Sequence, residues 1–418
     1  MKKSILFVDD EPFVLEAIRR MLRSKQDDWE MAFATGGPEA LAWMEDRAFD
    51  VVVSDMLMPG MNGSRFLREV MERSPDTIRF ILSGHSDPEL VYQSIGVTHQ
   101  YLAKPCSVRD LVSAVERACA IRELLRKRDL RELMSRIQTI PSLPDLYARV
   151  VEELKSPDPS VHRVGDIISR DLGMSAKVLQ LVNSAFFGLP RTVHSPAQAV
   201  ALLGIDIVKS LVLMVQVFSR MDGPGVTGFS LDNLWTHSMR VAHVSLGIAR
   251  QAEGGKRDRD DAFMAGLFHD LGKLLLMARL PDRYEEALRL METEHRSCLE
   301  AERAVLGGTH EEVGAYLLGL WGFADPVVEA AAFHHRPGEC RCRQFSALTA
   351  VHAANVLVNE FAAPGGGAGH ARDLDSGYLA EAGVAERLPE WRRICETIMR
   401  LDVNRLVEDN GEKEGGGG

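Results

Sequence analysis

The sequence predicts two architectures in series: an α/β doubly wound parallel five-stranded sheet, then an all-α helical domain. Three observations lead there. Up to about residue 120, short apolar runs alternate with amphipathic helical stretches. Acids, a hydroxyl and a lysine stand at the ends of those runs. From Pro141 onward the spacing is helical and histidines accumulate. With 418 residues the chain is too long for one ordinary domain.

The apolar runs are residues 5–8, 51–53, 80–82 and 101–103, with 31–34 a weaker strand candidate. Amphipathic helices are predicted over 11–23 and 38–47. Continuous apolar strands separated by helices imply a parallel sheet covered on both faces. Ligands of such sheets bind at the carboxyl ends of the strands.

The first run ends in Asp9 and Asp10, the third in Asp55, the fourth in Ser83-Gly84 and the fifth in Lys104-Pro105. Carboxylates converging on one rim repel unless a cation lies among them. Oxygen ligands with open positions suit Mg²⁺. A carboxylate beside that ion can take a phosphoryl group as an acyl phosphate. A neighbouring hydroxyl and ammonium would bind the added oxygens. One acid pair or one Lys-Pro alone would read as unrelated turn chemistry; all four in order argue against that reading.

LFVDDEP, VVSDMLMPGMNG, ILSGHSD and YLAKP resemble the four signatures of response-regulator receiver domains, a flavodoxin-like fold. The resemblance implies that Asp55 is the phosphoacceptor, with Asp9, Asp10 and Asp55 at a Mg²⁺ site. It implies Ser83 and Tyr101 as the switch pair, Lys104 as the phosphoryl partner, and a cis Lys104–Pro105 bond. Leu57 and His85 occupy positions that flank the phosphoryl group. A sensor histidine kinase is the implied donor.

Beyond Pro105, Leu111, Val115, Ala118, Leu125 and Leu133 keep a broadly helical spacing until Pro141 and Pro144. This stretch fits either a solvated helix or a dimerising, signal-carrying one. Further helices are predicted over 160–169, 175–184, 196–203, 205–218, 235–251 and 259–280. The 363–370 stretch reads as a glycine-rich loop, and the final residues as a disordered tail.

His237, His269, Asp270, His310, His334, His335 and Asn355 are spread over these helices. A lone histidine there is usually a core or surface residue. As a set they could form a metal site between helices. An adjacent His-Asp pair after an apolar stretch would be costly to bury unpartnered. The spacing resembles the HD phosphohydrolase superfamily, with Asn355 in place of its last aspartate and without the GYP motif of cyclic-di-GMP phosphodiesterases. Asp270 is then the only carboxylate that can be assigned, which implies weak retention of a transition metal. A closer resemblance covers residues 140 to about 359: IPSLPDL, NSAFFG, the LLG step and FHDLGKLLL look like the HDOD domain. In it Phe186 and Phe187 would be core anchors, and Asn183-Ser184 a helix-end polar pair.

The expected organisation is therefore a receiver over 1–120, a helical linker over 121–139, an HDOD domain over 140–360, and a C-terminal extension and tail over 361–418. The expected output is a non-catalytic HDOD module acting on a downstream protein, with homodimerisation through the linker as one route. The alternative is a metal-dependent phosphohydrolase of a nucleotide or cyclic dinucleotide. A net charge of −11 disfavours DNA binding. No apolar run suggests a membrane span or secretory signal, and six scattered cysteines suit free thiols, so a cytoplasmic location is expected.

Overall fold

The computed structural model describes residues 2–83, 94, 97–122, 130, 134, 140–142, 144–183, 193–205, 208, 218–220, 229–340, 343–362 and 374–400. His85, Ser184, Phe186, Phe187, the 363–370 loop, the 401–418 tail and most of the linker lie outside them.

All five strands form: β1 Lys3–Val8, β2 Trp29–Ala34, β3 Val51–Asp55, β4 Ile78–Ser83 and β5 Gln100–Ala103. They pair in parallel in the order β2-β1-β3-β4-β5. Alternate residues serve opposite faces. Ile5, Phe7, Val51 and Val53 join one apolar cluster, whereas Leu6, Val8 and Val52 join another. This two-residue period, buried on both sides, is why the strands read as unbroken apolar runs. The helix Val108–Arg122 packs on the first face through Leu111, Ala114 and Val115, and Gly63–Arg73 packs on the second through Phe66 and Val70. The Lys104–Pro105 bond is cis, as the resemblance implied.

The remainder is mostly helical but not wholly so. Ile140–Ser142 pairs in parallel with Phe218–Arg220. Phe218, expected to close a helix, is therefore in a strand. Three-residue strands brought together from distant parts of the chain leave no periodicity to read. The helix expected over 259–280 is also two helices, Lys256–Phe268 and Leu271–Arg279. The chain breaks at His269 and Asp270, so the pair sits at a joint rather than on a helix face.

The two halves touch. The helix Val108–Arg122 packs against the helix His310–Leu320. Arg117 Nη1 lies 3.4 Å from Asp325 Oδ1. Gln180 Nε2 donates to the His99 carbonyl at 3.4 Å. The Gln100 side chain lies against Gly322, where a Cβ would come within 2.9 Å of its Nε2. Beside this contact Lys177 is buried, with its ammonium 5.6 Å from the Trp321 ring centroid. Burial lowers its pKa to about 8.

A lysine whose pKa falls on folding costs stability at every pH below its folded value. That cost disappears as pH rises from about 8 to the unfolded value of roughly 10.4. Lys177→Met is expected to raise the melting temperature at pH 7 by a few degrees, with the gain shrinking above pH 8. A lower melting temperature at pH 7 would show that the ammonium is stabilising.

Candidate functional site

At the carboxyl rim of the sheet, Asp9, Asp10 and Asp55 each bring a carboxylate oxygen within 4.8 Å of the others. Lys104 Nζ lies 2.5 Å from Asp55 Oδ1 and 2.8 Å from Asp9 Oδ2. The Leu57 amide donates to Asp55 Oδ2 at 3.1 Å, and its side chain stays 55% exposed at the pocket's edge. Burial pushes the Asp55 carboxyl above its ordinary range, and Lys104 offsets this only in part. Burial also opposes the Lys104 charge, but the two carboxylates outweigh it and raise its pKa. This donor set fits one hard cation and one phosphoryl group.

Gly63 shapes the pocket floor. A Cβ there would lie 2.1 Å from the Asp55 carbonyl oxygen, and its amide donates to the Met56 carbonyl. Only glycine lets the next helix start so close beneath the acid. Tyr101 is 5% exposed, and its hydroxyl lies 2.8 Å from Ser94 Oγ. The Tyr101 ring is thus turned inward. Ser83 ends β4.

The second constellation gathers all seven residues singled out in the helical half. Asp270 stands between two groups of donors. On its Oδ1 side, His310 Nε2 is 3.4 Å away and His334 Nε2 3.5 Å, and His335 completes a set of four whose ligand atoms lie within 4.8 Å of one another. On its Oδ2 side, Lys273 Nζ is 2.7 Å away, His269 Nε2 3.4 Å and His237 Nε2 3.9 Å. Burial disfavours ionised Asp270, yet Lys273 and His269 hold its pKa well below the usual carboxylate range. Burial keeps His269 and His335 neutral and lowers His237 to about 4.

The local fold explains the convergence. Gly272 in Leu271–Arg279 meets the start of His310–Leu320 backbone to backbone, so a Cβ there would lie 2.0 Å from the His310 carbonyl oxygen. Thr309 caps that helix reciprocally with Glu312 and fixes where His310 begins. Asn355 Oδ1 accepts from His237 Nε2 at 3.0 Å and from Asn359 Nδ2 at 3.2 Å.

Sequence reasoning gave no role to Lys273, Glu302 or Glu311. Glu302 Oε2 accepts from His310 Nδ1 and from the His310 amide, both at 2.8 Å. Burial works against protonated His310, but Glu302 overcomes it and raises the imidazole well above its ordinary value. Glu311 accepts from the His335 amide and from Arg336 Nε. The position of Glu311 beside His310 was a usable signal; Glu302, a helix away, left none.

Orphaned atoms test whether a metal fits. The buried side-chain atoms without a hydrogen-bond partner include three in this cluster, His269 Nε2, Asp270 Oδ1 and His335 Nε2. Buried polar atoms normally find one. Three imidazoles and a carboxylate are suitable ligands for a divalent transition metal, so the residues fit such an ion.

Similarity to known proteins agrees with this anatomy. The family models that match are the response regulator receiver domain, over residues 5–116, and the HDOD domain, over 140–337. An uncharacterized protein of Treponema pallidum is 26% identical over 230 residues, 54% of this chain and 43% of that protein. The hydrogenase transcriptional regulatory protein HoxA of Cupriavidus necator is 30% identical over 155 residues, 37% of this chain and 31% of its own. The matched stretch is thus less than half the length of either relative. The MmoQ response regulator from Methylococcus capsulatus shares 23% identity, with a TM-score of 0.45 over 61% of this chain and 98% of that one. No helix among the described residues is long and apolar enough to cross a membrane. The chain joins a response regulator receiver domain to an HDOD domain.

Proposed function

We propose that this chain is a phosphorelay response regulator: a sensor histidine kinase phosphorylates Asp55, and the HDOD domain relays the change to a downstream protein without chemistry of its own. In the transfer, an Asp55 carboxylate oxygen forms a bond to phosphorus, the P–N bond of the donor phosphohistidine breaks, and the departing imidazole takes up a proton. Mg²⁺ held by Asp9, Asp10 and Asp55 would offset charge on the phosphoryl oxygens. Lys104 would follow the new negative charge.

The observation that carries the non-catalytic output is that two groups on one side of the histidine cluster, His237 and Asp270 Oδ2, already have protein partners. His237 is paired with Asn355, and Lys273 already neutralises Asp270 Oδ2. A hydrolase needs a firmly held ion with an open position for water. The alternative, a metal-dependent phosphohydrolase of a nucleotide or cyclic dinucleotide, draws on the unpartnered atoms facing Asp270.

The message has a short route, because the helix Val108–Arg122 rests on His310–Leu320. Hydrogen exchange of the full chain, with and without beryllofluoride and Mg²⁺, tests this. Protection is expected to change in both helices, and Asp55→Asn should abolish the change. A response confined to the receiver would contradict the route.

A further inference from the structure

We infer that the junction between the two halves is a proton-sensitive latch: closing takes the Lys177 amine out of water and is favoured when that amine is neutral. Two cationic side chains are buried where the halves meet, Arg79 from the receiver and Lys177 from the helical domain. They are not held alike. Arg79 Nε donates to the Val97 carbonyl at 2.7 Å, and Nη1 donates to the Pro75 and Thr77 carbonyls at 3.1 and 2.9 Å. These oxygens stand in for water around the guanidinium. Tyr316, from the helix His310–Leu320, adds a favourable electrostatic contact across the junction.

Lys177 has no such shell. Among the described residues, no hydrogen bond or ion pair reaches its ammonium, which sits beside the Trp321 ring. Its surroundings are made by the contact itself. Gln180 stands nearly one turn further along the same helix, Leu172–Val182, and donates to the His99 carbonyl. Trp321 precedes Gly322, which lies against Gln100. Both flanks of the ammonium therefore touch the start of β5. A buried charge without a counter-charge is costly, and separating the halves would return water to it.

The elements packed on this helix do not supply the missing charge. Pro196–Leu203 and Ile140–Ser142 carry no titratable group. On Val161–Ser169, His162, Arg163 and Asp166 are exposed. Asp171 accepts from the Met174 amide, and Asp261 of Lys256–Phe268 lies 3.8 Å from Arg257. Across the junction stand Arg79 and His99, whose ring nitrogens both face Arg79, and at its edge the Arg117–Asp325 pair. Burial alone therefore sets the Lys177 pKa, at about 8 in the closed form, against roughly 10.4 for a lysine in water. Between those values the closed form binds fewer protons, so closing strengthens as pH rises. Below them both forms hold the proton and the dependence fades. Arg79, with a pKa of about 10, stays charged from pH 7 to pH 9.

The test uses the full chain with fluorescent noncanonical amino acids at exposed Glu45 and Glu292, one in each half. Single-molecule energy transfer then counts closed and open molecules. In the wild type, the closed-to-open ratio is expected to rise about 10-fold between pH 7 and pH 9, as the two pKa values require. Lys177→Met should be closed at pH 7 and indifferent to pH. Lys177→Arg keeps its charge, so it should stay more open than the methionine variant and lose the rise. Circular dichroism checks that each variant folds, and the wild-type titration needs no variant. A wild-type ratio unchanged between pH 7 and pH 9, a single closed population at both, or a rise that persists in folded Lys177→Met would overturn the latch.

Discussion

Asp55→Asn is expected to take up no phosphoryl group from acetyl phosphate and Mg²⁺, whereas the wild type should gain one acid-labile phosphoryl group. The amide is nearly the same size as the acid, so the pocket should persist, but it lacks the anionic oxygen that attacks phosphorus. Asp9 and Asp10 lie in the same cluster and are also carboxylates. Asp9 shares Lys104 with Asp55 and accepts from the Glu11 amide at 3.0 Å, much as Asp55 accepts from the Leu57 amide, so the resemblance of VVSDMLMPGMNG rather than this geometry assigns the attack to Asp55. Intact-mass measurement before and after acid treatment reads the result. Equal labelling of the Asn variant would move the phosphoacceptor to another residue.

Gly272→Ala is expected to lower the stability of the helical domain by about 3 kcal/mol, the upper range for overpacking a rigid contact. The added carbon would lie 2.0 Å from the His310 carbonyl oxygen and 2.9 Å from the Gly314 amide nitrogen. Both are backbone atoms, so no side-chain rotation relieves the clash. The helices Leu271–Arg279 and His310–Leu320 must separate, and Asp270 and His310 move apart with them. Gly165→Ala serves as the control. Its Cβ would meet nothing nearer than 3.5 Å, and alanine is the better helix former by roughly 1 kcal/mol. Thermal unfolding of the two variants should therefore shift in opposite directions. Equal shifts would mean that the backbone contact at Gly272 is soft.

The receiver half was legible because its information is local. Each strand is buried on both faces, so four apolar runs announced themselves. The fifth, β2, begins Trp-Glu-Met, a mixed pattern that hid its first half. The acidic pocket at the rim was legible for a related reason: strand ends in a parallel sheet converge on one rim, so sequence order alone places the acids together. The helical half depends on contacts between segments far apart in sequence. The apolar pattern resumes directly after His269 and Asp270, which hid a break that adjoins the close approach of Gly272 to another helix. Glu302 joins the cluster only because Gly307, with φ of 77°, ends its helix in the left-handed conformation and turns the chain toward His310. Asn355 lies beside His237 in the constellation. What its residue type did not reveal is that its oxygen is shared between His237 and Asn359.

The helix His310–Leu320 has a residue of the histidine cluster at its first position and, along its length, the surface that rests on the receiver. Eleven residues span only about 16 Å, and a hydrogen-bonded helix does not shorten to absorb a push. Influence through such an element runs both ways. If phosphorylation of Asp55 changes the affinity of the cluster for an ion by some factor, thermodynamic reciprocity requires that occupancy of the cluster change the phosphorylation equilibrium of Asp55 by the same factor. What is bound in the output domain would then help set how readily the receiver holds its phosphoryl group, making the chain a reporter of two inputs rather than a wire for one.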